Sequence, residues 1–151
     1  MKKVIVYMEK RVHMRVRLAP AAWLLLAGDL VVFWLFVYYG KRIHNLPASA
    51  AGILETLAPF LIGWVIAACL FRSYSKKAYE KGWRLLLSTF LTWTVAAPIG
   101  IVIRAWWLDT PLTWIFTLVT YVITFAFLLG WRIPFSVAYT ARERASRKAL
   151  R

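Results

Sequence analysis

Four unbroken apolar runs, at residues 18–39, 53–71, 85–103 and 112–131, alternate with short polar or basic stretches along the chain. Each is close to the roughly 20 residues that a helix needs to cross about 30 Å of hydrocarbon at 1.5 Å per residue. Strands do not fit. A lipid-exposed backbone must close its hydrogen bonds within a helix or a sealed barrel, and barrel strands show short alternating segments instead. The pattern therefore predicts an all-α fold, a four-helix transmembrane bundle of up-down-up-down topology over residues 18–132. Connections at 40–52, 72–84 and 104–111 are short, which makes consecutive helices antiparallel neighbours. A basic tail, 1–17, precedes the bundle, and a basic amphipathic tail, 133–151, follows it. Within the second tail, 136–151 reads either as a helix lying on the membrane surface or as a solvated, frayed one, since Phe135 and Tyr139 supply only a thin apolar face.

Composition narrows the class further. The chain is 62% hydrophobic and 17% charged, against about 45–50% and about 25% for soluble domains, which excludes a soluble globular enzyme. Its 20 Lys and Arg outnumber 6 Asp and Glu, and their placement decides what the excess is for. In order, residues 1–17, the three connections and residues 132–151 hold six, two, five, one and six, so alternate compartments hold 17 and 3 of the 20. By the positive-inside rule this places both termini in the cytoplasm and the spans in the cytoplasmic (inner) membrane. The basic excess is thereby assigned to topology and to anionic lipid headgroups, not to nucleic acid. Ala48-Ser49-Ala50 has the form of a signal-peptidase site, but the 22-residue run at 18–39 exceeds a signal h-region and is read as a retained span.

Polar residues inside the spans are the candidates for chemistry. Asp29 lies near the middle of the first run, where an ionised carboxylate costs about 2.5–3.5 kcal/mol even on the lenient insertion scale. It is expected to face the bundle interior and, without a close cation, to be a neutral acid bonded to a Thr or to a carbonyl freed by Pro59 or Pro98. Glu55 and Arg104 both fall at the outer boundary and are expected to form an ion pair across adjacent helices. Helical spacing puts Thr56 and Gly63 on one face with Glu55, aligns Thr89 and Thr92 with Ala96 and Gly100, and aligns Thr113, Thr117, Thr120 and Thr124. These small or hydroxylated seams suit close helix packing, with Thr bonding its own helix's carbonyls, or a polar pathway. Most of the nine Trp sit toward run ends as interfacial anchors, Trp131 among them, whereas Trp64 and Trp93 lie deeper and read as packed side chains or as a surface for a flat cofactor.

The residue inventory sets several chemistries aside. No Lys lies in a span for a Schiff base, His13 and His44 fall on opposite sides of the membrane, and no CxxC, HExxH, GxSxG or Walker-type loop occurs. The expectation is no cofactor, no metal and no enzymatic activity. Cys69 reads most simply as a small packed apolar residue, with palmitoylation as the alternative. The segments 60–64 and 127–131 echo one another, but at different depths, so an inverted repeat is not supported.

Gly28-Asp29, Pro59-Phe60 with Gly63-Trp64, Trp93 with Pro98, Gly100 and Arg104, and Gly130-Trp131-Arg132 together resemble the small four-span membrane proteins of the domain of unknown function 3054 family. The resemblance covers residues 18–132 and implies no activity, substrate or cofactor for any position. It does mark Asp29 and Arg104 as the polar positions to test first. Two function classes follow. One is a non-enzymatic membrane component, either a self-associating bundle or an accessory subunit of a membrane complex. The other is a small proton- or cation-linked transporter or channel that uses Asp29 and a threonine-lined interior.

Overall fold

A computed structural model describes residues 19–149, and the basic segment 1–17 lies outside the described residues. Among the described residues five helices appear in order: α1 (Pro20–Ile43), α2 (Ala50–Phe71), α3 (Lys76–Tyr79), α4 (Gly82–Trp107) and α5 (Trp114–Ala149). Four of them, all but the one-turn α3, are long and apolar enough to cross a membrane, and the chain is a multi-pass membrane protein built as a four-helix bundle. Around the bundle, α1 packs on α2, α2 on α4, α4 on α5 and α5 back on α1.

Local chemistry sets the helix ends. Pro20 opens α1, where its missing N–H is one the first turn would leave unbonded anyway. Lys41 and Arg42 close the same helix next to its negative dipole end. The Ser49 hydroxyl caps α2 by accepting from the Gly52 amide at 3.2 Å. At the far end of α2, Arg72 takes a left-handed conformation with φ 52°, and the Ser73 amide donates back to the Ala68 carbonyl. This six-to-one closure reverses the chain and turns Ser73 and Tyr74 into the end of the bundle.

The tightest seam runs between α2 and α4. A Cβ at Gly63 would come within 2.5 Å of the Ala96 carbonyl, and one at Gly100 would meet Phe60, so the small residues are what let these backbones approach. Phe33, Trp64 and Trp93 fill the space between α1, α2 and α4 with edge and tilted ring contacts at 5.3–6.3 Å. The two deep tryptophans are therefore covered by each other and by Phe33, not open to a flat ligand.

The helix that carries the fourth apolar run extends beyond it, because α5 runs without interruption through Pro134 to Ala149. The stretch 133–149 is accordingly helical and continuous with the helix of the fourth span. Its apolar face is packed, with Phe135 and Tyr139 against the buried ring of Tyr79 at 5.8 and 5.1 Å. Ser136 secures the same contact by donating to the Tyr79 carbonyl at 3.0 Å.

Candidate functional site

Asp29 is wholly buried, about nine residues or roughly 13 Å into α1 from its first turn. Facing it from the middle of α5 is Arg132, also wholly buried. The guanidinium engages the carboxyl group with two parallel bonds, Nε to Oδ1 at 2.9 Å and Nη2 to Oδ2 at 2.7 Å. A third nitrogen, Nη1, donates to Thr89 Oγ1 on α4 at 3.2 Å, and that hydroxyl passes its own proton to the Leu85 carbonyl at 2.7 Å. The fork geometry is the one an arginine offers a carboxylate, and it fixes orientation as well as distance.

The connection between α2 and α3 closes the site from the end of the bundle. Tyr74 donates its hydroxyl proton to Asp29 Oδ2 at 2.7 Å and accepts from Trp64 Nε1, also at 2.7 Å. Both carboxyl oxygens of Asp29 thus accept and neither donates. Burial first, and the neighbouring Asp29 second, push the Tyr74 hydroxyl well above its ordinary pKa, so it stays a phenol and a donor. Arg132 also lies over the faces of Trp64 and Tyr74, 5.0 and 5.5 Å from their ring centres. An aromatic box around a desolvated cation adds stabilisation that exposed pairs lack. Next to Tyr74, the Ser73 and Thr92 hydroxyls bond to each other.

Gly28 explains how α1 and α5 come close enough for this. Any Cβ there would fall inside the indole of Trp131, and the indole N–H reaches the Leu25 carbonyl at 3.4 Å. Trp131 is thus fitted into a notch in α1 instead of anchoring the bundle at an interface.

Of the residues expected from sequence, Asp29 and Thr89 are brought together through Arg132, Thr92 bonds to Ser73, and Gly63, Thr120 and Thr124 are buried elsewhere in the bundle. Thr124 Oγ1 has no hydrogen-bond partner. Thr56, partly buried, and Thr117 bond to carbonyls four residues back in their own helices, at 3.0 Å each. Thr113 is exposed.

The expected Glu55–Arg104 pair is not formed. Arg104 donates to Thr110 at 3.1 Å and sits over Phe116 at 4.3 Å, while Glu55 is exposed. The reason is angular. The buried arc of α2 is centred near Trp64, and nine residues at 100° each put Glu55 about 180° away. The small residues at 59 and 63 mark the edge of the packed face, not its centre. Likewise the neutral Asp29 expected in the absence of a cation gives way to an ion pair, because α5 continues past 131 and carries Arg132 to the depth of Asp29. Arg132 was missed as a site residue because it counts in sequence as the first charge of a tail. The Gly-Trp-Arg run at 130–132, read against Gly28-Asp29, is the signal that finds it.

Among the described residues no three His, Cys, Asp or Glu side chains come together. No curated protein and no solved structure matches the chain. A family model described as protein of unknown function (DUF3054) matches residues 26–135, a stretch that contains Asp29, Trp64, Tyr74, Thr89 and Arg132. The chain belongs to the DUF3054 family.

Proposed function

We propose that the protein is a non-enzymatic component of the cytoplasmic membrane, with both termini on the cytoplasmic side, that acts as a self-associating bundle or as an accessory subunit of a membrane complex. The observation that carries this reading is the saturation of the interior acid. A carrier's acid has to exchange partners with an ion or a proton from water. Asp29 instead accepts from Arg132 twice and from Tyr74 once, with Asp29 and Arg132 both wholly buried. Two hollows, of about 700 and 420 Å³, are open surface grooves whose walls include neither Asp29, Arg132 nor Thr89. Such a pair serves to fix which helices meet and in what register, a role that polar groups in apolar interfaces fill elsewhere.

The test is reconstitution of the purified protein in liposomes, with proton and monovalent cation flux measured beside its mass in detergent and the proteins that co-purify with it. The expected result is no flux above empty liposomes for wild type or Asp29→Asn, together with an oligomer or a stoichiometric partner. A pH-dependent flux that Asp29→Asn abolishes overturns the proposal in favour of a carrier.

A further inference from the structure

The groove at the α2–α4 end of the bundle combines features that surface grooves of membrane bundles need not share. It is an open hollow of about 420 Å³ lined by Lys77 and Arg84 together with the apolar side chains of Phe71, Leu87 and Leu91. Neither cation pairs with a carboxylate among the described residues. Arg84 is held over the Trp83 ring at 5.3 Å. Ser88 lines the same wall. The first turn of α4 begins there too, after Lys81, with no side chain capping its free N–H groups.

Charge and apolarity are ordered along the helix axis. The cations and free amides occur where α4 starts, and Leu87 and Leu91 follow one and two turns deeper. We infer that this groove is a specific site for one anionic phospholipid, its phosphate between Lys77, Arg84 and the α4 N-terminus, and one acyl chain laid over Leu87 and Leu91. Charge complementarity selects the headgroup, and the apolar lining requires a ligand with a chain, which a free phosphate lacks. The inference goes beyond general attraction of basic tails to a membrane, because it places the lipid on a connection rather than on a tail. It is independent of whether the bundle is a scaffold or a carrier.

Native mass spectrometry from an uncharged detergent tests it, with dimyristoyl phosphatidylglycerol, dimyristoyl phosphatidylcholine or inorganic phosphate added. One phosphatidylglycerol is expected to stay bound. A cation close to anionic headgroups contributes roughly fivefold in affinity, so Lys77→Gln with Arg84→Gln should weaken retention by about tenfold or more. Arg144→Gln with Lys148→Gln in the tail should leave it unchanged. Leu87→Trp, which fills the groove and keeps both cations, should also displace the lipid, and it stands in should the double variant fail to fold. Equal retention of phosphatidylcholine, an equal loss in the tail variant, full retention by Leu87→Trp, or competition by millimolar inorganic phosphate each overturn the inference.

Discussion

Asp29 with Arg132 in the interior of the bundle, and Glu55 with Arg104 nearer its other end, are the same chemical pairing: an acid and an arginine on different helices. Only the first is made. Asp29 and Arg132 occupy the buried faces of α1 and α5, where Gly28 admits Trp131 and draws the two backbones together. Glu55 instead points away from the packed face of α2, and Arg104 settles on Phe116 and Thr110. An acid and a base near one membrane depth are thus insufficient. Each must also lie on the packed arc of its helix, and something must bring the helices close.

The largest effect that should break this contrast is loss of one member of the inner pair. Arg132→Met strands the Asp29 carboxylate in an apolar interior and is expected to cost about 3–5 kcal/mol of stability. Asp29→Leu combined with Arg132→Met should be markedly less damaging than Arg132→Met alone. Unfolding in mixed detergent micelles measures both, and equal losses in the single and double variants would contradict a buried ion pair.

A smaller effect is expected from Tyr74→Phe, which removes a donor to Asp29 and leaves the Trp64 N–H without its acceptor. The loss should be about 1–2 kcal/mol. The same variant carries a pH signature. Because the Tyr74 hydroxyl is held above its ordinary value of 10.0 in the folded protein, the unfolded chain releases that proton first as pH rises. Its contribution is therefore complete below about pH 10.0 and is lost above it, and Tyr74→Phe should flatten that part of the stability profile. A profile above pH 10 that is unchanged by the substitution would remove Tyr74 from the network.

The smallest expected effect sharpens the contrast from the other end. Glu55→Gln and Arg104→Met should be additive within about 0.3–0.5 kcal/mol, as for residues without contact. A larger coupling energy would mean that the outer pair forms after all.

Much of the fold could be read from apolar run length, because about 20 residues of hydrocarbon-compatible sequence admit one solution in a bilayer. The buried acid at Asp29 could be read too, since an ionisable group in mid-span has nowhere favourable to face but inward. Arg132 could not be read in the same way. Hydropathy ends a span at the first charge, and here that charge is neutralised by a partner 103 positions earlier. Tyr74 was equally hidden, because it lies in a basic connection and enters the bundle only through the left-handed turn at Arg72. Glu55 failed for a different reason. Small residues mark where helices approach closely, yet on α2 large side chains such as Phe60 and Trp64 fill most of the packed arc.

The separation of Asp29 from Arg132 has a consequence for biogenesis. At about 5–20 residues per second, synthesis across the 103 positions from Asp29 to Arg132 takes roughly 5–20 seconds. For that interval α1 sits in the membrane with its acid unmatched, at a cost that a helix so rich in Leu, Val and Phe can bear. Arrival of α5 then closes the fork, the aromatic box and the notch at Gly28 in one event. Assembly is timed by the emergence of the helix that carries Arg132, and a chain that lacks it holds an acid with no cation to meet.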